Sequence, residues 1–227
     1  MYKHIKVLIF KTKIIMKRML MAAMALFVAV VTVCAAPPKN DDNALWKDAK
    51  KLAKADTKAG WVMDGASTVE KAYYFHMQKK RDEGLYEVTG DVIGNTSAQT
   101  VNQGQQWAAT NAAISYAKQA GGNIRGRVVT LMSAGIADGS PSVDKVIEAY
   151  ENNVQKEIRG ELIKSFGMYR ESGKNKIEYK AFYLISEDDA TKARIRAYEN
   201  MKKELMLLKE ADAIAEFVRE GFIPKAE

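Results

Sequence analysis

ELIKSFGMYR (161–170), then ESGKN (171–175), then KIEYKAFYLIS (176–186) is the stretch that decides the fold. In Lys176–Ser186 the residues Ile177, Tyr179, Ala181, Tyr183 and Ile185 alternate with polar neighbours, the period-2 signature of a strand with one face buried. Glu161–Arg170 is a second β segment, and Gly173-Lys174-Asn175 between the two is a hairpin turn. An antiparallel hairpin placed this late, with helical patterns on both sides of it in the chain, predicts an α+β domain.

Working outward from the hairpin, Glu187-Asp188-Asp189 opens a long helix, because acids favour a helix N-terminus. Ala190, Ala193, Ala197, Met201, Leu205 and Leu208 share one of its faces. Before the hairpin, Val143, Val146, Ile147, Tyr150, Val154 and Ile158 keep helical spacing and mark Ser142–Arg159 as the clearest helix of the chain. Gln103–Gln119 reads as an alanine-rich helix stopped by Gly121-Gly122, with Ile124–Met132 following as a strand. Earlier still, Leu85–Ile93 reads as a strand. Residues 69–80 read as a helix capped by Ser67 or Thr68, and Asp41–Thr57 as the first helix after a short linker. The expected architecture is a small mixed sheet with an antiparallel C-terminal hairpin, helices packed on one face, and further helices at the two ends. In domain terms, 1–35 is a signal, 36–43 a linker, 44–210 one α+β domain and 211–227 a weaker helical tail.

The start of the chain has the three parts of a secretion signal. A basic region ends at Lys17-Arg18, and an apolar run from Met19 to Val33 follows. Small residues Cys34-Ala35-Ala36 then precede Pro37-Pro38 and a polar run. The apolar run falls short of the roughly 20 residues that a spanning helix needs. No transmembrane span is therefore expected after cleavage. Two processing routes stay open. Val33-Cys34-Ala35 suits a cut after Ala35, whereas Cys34 could instead carry a lipid. The bulky Val33 departs from the small residue that precedes a lipidation cysteine.

Charge removes one functional class. The chain has 35 basic and 28 acidic residues, a formal charge of +7. Six of the basic residues and none of the acids lie in 1–36, so the remainder holds 29 bases against 28 acids. A near-neutral body offers no general attraction to a phosphodiester backbone, and no nucleic-acid partner is expected.

Catalytic signatures are sparse. His76 is the only histidine beyond the signal, and its neighbours Ala72 and Tyr73 mark it as a packed or surface residue. Cys34 is the only cysteine, so a zinc site has no ligands to recruit. The acid clusters Asp41-Asp42 and Glu187-Asp188-Asp189 lack calcium-loop spacing and read as helix-start acids. Gly121–Gly126 follows a helix instead of a strand, the reverse of a phosphate loop. No cofactor, metal or catalytic residue is assigned. What stands out is Lys47, Lys50, Lys51, Lys54 and Lys58 at helical spacing, a basic stripe opposite Leu45, Ala49 and Leu52. Such a stripe fits anionic lipid headgroups or a cell-wall polymer.

The alanine-rich helix Gln106–Ala120, the segment Arg125–Leu131, the valine-spaced helix, the Tyr-rich strand Glu178–Leu184 and the closing helix together resemble the small membrane-associated lipoprotein family of LPP-twenty type. That domain is similar to the N-terminal domain of the flagellar T-ring protein. The opening stretch, Ala49-Lys50-Lys51 to Gly60-Trp61 with Gly65 and Val69-Glu70, looks like secreted relatives in Bacteroides-like bacteria. The resemblance covers most of Asp42–Lys209. It implies a periplasmic or outer-membrane-associated protein with a scaffold or partner-binding role and no enzymatic activity, and it supplies no active-site residues. The expected function is thus a non-catalytic envelope accessory protein whose partner is an envelope protein, a cell-wall polymer or an anionic membrane surface. The alternative is a secreted hydrolase with an unrecognised carboxylate pair.

Overall fold

The predicted hairpin is the centre of the sheet. The structure, a computed structural model, describes residues 42–94, 97–135, 141–205 and 218–219. Its elements in chain order are α1 (Asp42–Lys58), β1 (Val62–Met63), α2 (Val69–Asp82), β2 (Tyr86–Val92), α3 (Val101–Gly135), α4 (Val143–Ile158), β3 (Ile163–Gly173), β4 (Lys176–Ile185) and α5 (Glu187–Glu204). The signal with Cys34, the linker as far as Asp41, and the tail 211–227 apart from Val218 and Arg219 lie outside the described residues.

The strands run in the order β1-β3-β4-β2, and every neighbouring pair is antiparallel. The α+β class and the β3–β4 hairpin are as expected. The expectation of a mixed sheet is corrected. Asn175 closes the hairpin in a left-handed conformation (φ 58°), which asparagine tolerates.

The second correction explains the first. Residues 124–132 are not a strand; they continue α3, a single helix of 35 residues. Gly104, Ala108, Ala112, Tyr116, Ala120, Ile124 and Val128 form one buried row at a spacing of four. That row runs straight through Gly121-Gly122, which therefore do not stop the helix. Tertiary packing overrides the weak helix propensity of glycine. Gly121 has a packing reason: a Cβ there would come 2.1 Å from Glu151 Oε1 of α4. At the other end α3 lies directly on β2. A Cβ on Gly90 would come 1.9 Å from the carbonyl oxygen of Ala108.

Helices cover both sheet faces, which corrects the one-face expectation. Val88, Val92, Tyr179, Ala181, Tyr183 and Ile185 share a core with α3, α4 and α5. Phe166, Met168 and Phe182, from the opposite pleats of β3 and β4, join Trp61, Val69, Ala72, Tyr73, Ala49 and Ala53 in a second core under α1 and α2. The polar residues Glu178 and Lys180 made that face of β4 read as solvated. Both are instead held in place. Lys180 reaches Asp56 Oδ1 at 2.5 Å and lies 4.5 Å over the Trp61 ring, while Glu178 accepts from Arg170 Nε at 2.7 Å and from the Gly94 amide at 2.9 Å.

Helix starts follow the expected chemistry. Thr68, Ser142 and Ser186 each accept a backbone N–H three residues on, from Lys71, Lys145 and Asp189. Thr68, not Ser67, caps α2. One tie was invisible in the sequence. Arg194 of α5 is fully buried and donates to Tyr116 of α3 at 2.7 Å, to Glu187 at 2.5 Å and to Thr191 at 2.7 Å. A buried guanidinium requires such partners, since an unpaired one would carry a large desolvation penalty.

Candidate functional site

α1 packs through small residues. Ala49 and Ala53 are fully buried and Leu45 and Trp46 half-buried, whereas Leu52 is 45% exposed. The apolar side is thus Leu45-Ala49-Ala53, and Leu52 is corrected to an exposed position at its margin. With 100° per residue, Lys47, Lys51, Lys54 and Lys58 fall on the side away from Ala49 and Ala53, and Lys50 stands at the edge of the stripe nearest Ala53. All five are exposed.

The structure assembles part of this stripe into a groove. Trp46, Lys50, Lys54, Thr57 and Lys58 of α1 face Thr68, Glu70 and Lys71 at the start of α2 across a cavity of about 750 Å³. Lys47 and Lys51 do not line it. Four ammonium groups therefore meet one carboxylate, Glu70. None of the four lysines forms an ion pair among the described residues, and Lys50 Nζ stands 5.2 Å over the Trp46 ring. Trp46 in turn packs edge-on against Tyr74 with centroids 5.3 Å apart. Trp46 and Lys71 were not singled out from the sequence; the groove depends on how α1 meets α2, which no local spacing encodes.

The floor under α1 is rigid. Tyr73 donates to Asp56, which also holds Lys180. Burial, reinforced by the Asp56 carboxylate, pushes the Tyr73 hydroxyl above its ordinary pKa. Arg170 lies 4.7 Å over the Trp61 ring and donates to the Ala59 carbonyl at 3.1 Å. The Gly94 amide, aided by Arg170, outweighs burial and holds the Glu178 carboxyl below the usual carboxylate range. These contacts fix the end of α1 to β3 and β4, so the groove sits on ordered elements.

His76 is packed, 2% exposed, with Nε2 2.6 Å from Glu87 Oε2 and with Phe166 and Phe182 edge-on to its ring. That hydrogen bond, more than any other influence, lowers the Glu87 pKa. Four cavities lined by described residues contain one carboxylate each: Glu70, Asp64, Glu204 and Glu87. Among the described residues no group of three His, Cys, Asp or Glu side chains stands ready for a metal ion, and no helix is long and apolar enough to cross a membrane.

An antiparallel α+β domain with a cation-lined groove between its first two helices is the class that fold and site define. No protein-family model, no curated protein and no solved structure matches the chain.

Proposed function

We propose that the chain is an exported, non-catalytic accessory protein of the bacterial cell envelope that holds an anionic envelope component against the α1–α2 groove. The observation that carries this reading is the convergence of Lys50, Lys54, Lys58 and Lys71 on one cavity with a single opposing carboxylate. Export rests on the basic, apolar and small-residue order of 1–36. Lysines beside an anionic surface contribute about 1 kcal/mol each. A phosphate of a lipid headgroup and a phosphate or carboxylate of a wall polymer present the same chemistry to the groove.

The hydrolase alternative draws less support. Paired-acid hydrolysis needs two carboxyl groups roughly 5–9.5 Å apart, and each of the four cavities offers one. The test is co-sedimentation of the exported chain and of a variant with Lys47, Lys50, Lys51, Lys54 and Lys58 all replaced by glutamine. One arm uses phosphatidylglycerol–phosphatidylcholine vesicles, the other insoluble cell wall. The wild type should sediment with one of these at low salt and lose it at high salt, and the variant should not sediment. Equal sedimentation of wild type and variant in both arms overturns the reading. Intact mass of the protein from its host reports the processing route, either an Ala36 start or an acylated Cys34.

A further inference from the structure

A second cavity, of about 440 Å³, opens where the loop after β1 meets α2 and β3. Met63, Asp64, Ser67, Phe75, Lys79 and Lys164 are among its walls. Its volume lies within the range of small-molecule sites, on the order of 300–1,000 Å³. It uses a different flank of α2 from the lysine groove.

Asp64 is the organised feature. Its Oδ2 accepts from the Tyr179 hydroxyl at 2.5 Å, from Gln105 Nε2 at 2.6 Å and from Lys164 Nζ at 3.0 Å. Lys164 also donates to the Tyr179 oxygen at 2.9 Å. The four side chains come from the β1–α2 loop, α3, β3 and β4. Two glycines clear the lane that Tyr179 occupies. A Cβ on Gly167 would come 2.1 Å from the Tyr179 oxygen, and one on Gly104 would come 2.7 Å from the Tyr179 Cβ. Glycine inside a strand or helix weakens that element by roughly 0.5–1 kcal/mol, so both positions favour placing this hydroxyl on Asp64 over local stability. Burial draws the Asp64 carboxyl upward, but the three donors outweigh it and hold the group below the usual carboxylate range. Asp64 is therefore a fixed, ionised acceptor, and its Oδ1 carries no hydrogen bond to any described residue.

The other walls have a different chemistry. Phe75 is 59% exposed, an apolar ring left open to water on the cavity wall. Lys79 is half-buried and has no carboxylate partner among the described residues. A simple anion would meet the Asp64 charge, a cation would meet two lysines, and a purely apolar ligand would strip water from all three.

We propose that this cavity binds a sugar ring carrying an acid group, with the ring's C–H face on Phe75, its hydroxyls donating to Asp64, and its acid beside Lys79 and Lys164. Each wall then meets its complement.

The experiment is titration of the exported chain with a glucuronic-acid-containing disaccharide, and with neutral cellobiose, by calorimetry and by saturation-transfer NMR. The acidic disaccharide should bind saturably, at least tenfold tighter than cellobiose, with transfer from Phe75 to ring protons. Phe75→Ala and Asp64→Asn should each weaken it tenfold or more, and Lys79→Gln should reduce its affinity to that of cellobiose. Phe75 and Lys79 are solvent-accessible, so their variants decide the matter even if Asp64→Asn fails to fold. No saturable binding, equal affinity for both sugars, or unchanged affinity in Phe75→Ala and Lys79→Gln overturns the proposal. The five-lysine variant is titrated in parallel, so that a failure at the groove and a failure here are read separately.

Discussion

Replacing Gly122 and Gly126 together by alanine should stabilise the protein. Both lie within the 35-residue α3, both are exposed, and a Cβ on either meets nothing within 4 Å. Neither glycine has a positive φ, so alanine fits without strain. Glycine in a helix interior is about 1 kcal/mol less favourable than alanine, which gives about 2 kcal/mol for the pair. A domain of this size gains roughly 2–4 °C of Tm per kcal/mol, so the double variant should melt about 4–8 °C higher. Gly90→Ala is the opposing control. Its Cβ would lie 1.9 Å from the Ala108 oxygen and 2.7 Å from the Ala108 carbonyl carbon, both backbone atoms that cannot rotate away. Helix α3 would have to lift off β2, and overpacking of this kind costs roughly 1–3 kcal/mol, seen as a lower Tm. Reversible thermal melts followed by circular dichroism read the wild type and both variants. A lower Tm for Gly122→Ala/Gly126→Ala would refute the continuous helix and restore a break at Gly121-Gly122.

Arg194→Met should lower stability by about 3 kcal/mol, read as an earlier urea midpoint, because a broken buried pair takes the guanidinium charge and its hydrogen bonds away from Glu187 and Tyr116; an unchanged midpoint would mean that the pair contributes nothing net. Glu178→Gln tests a pH dependence. The folded Glu178 carboxyl sits below its unfolded value, so its contribution is complete above the ordinary glutamate pKa of about 4.3 and vanishes as pH falls through the folded value. The Tm gap between wild type and variant should therefore be widest near about pH 7 and close below about pH 4, and a gap that widens in acid would contradict the assignment.

The β3–β4 hairpin was legible because Tyr179, Ala181, Tyr183 and Ile185 alternate without a break, and α4 because its apolar residues never leave one face. The helix starts near Ser142 and Glu187 and the cap at Thr68 were legible for the same local reason. What failed was non-local. Gly121-Gly122 looks like a stop until α4 is present to explain Gly121, and Ile124 and Val128 look like strand residues until the row from Gly104 is extended through them. Glu178 and Lys180 disguised the second buried face, since Gly94, Asp56 and Trp61, which hold them together with Arg170 across the hairpin, are distant in sequence. The lysine stripe was readable from spacing alone. Its partners Trp46 and Lys71 were not, because helix pairing sets them. The Asp64 cluster joins residues scattered from Asp64 to Tyr179. Its one sequence signal was Gly167 inside an apolar strand, a mark of close approach by another group.

The proposed function requires an anionic component to seat between α1 and α2. The most direct measurement is a chemical-shift titration of the purified protein with inorganic polyphosphate, a soluble stand-in for either source of anion. The Trp46 indole and the amides around Lys50, Lys54, Lys58 and Lys71 should shift first and saturably, with the effect suppressed at high salt. Saturable shifts confined to another surface, or none at low salt, would contradict it.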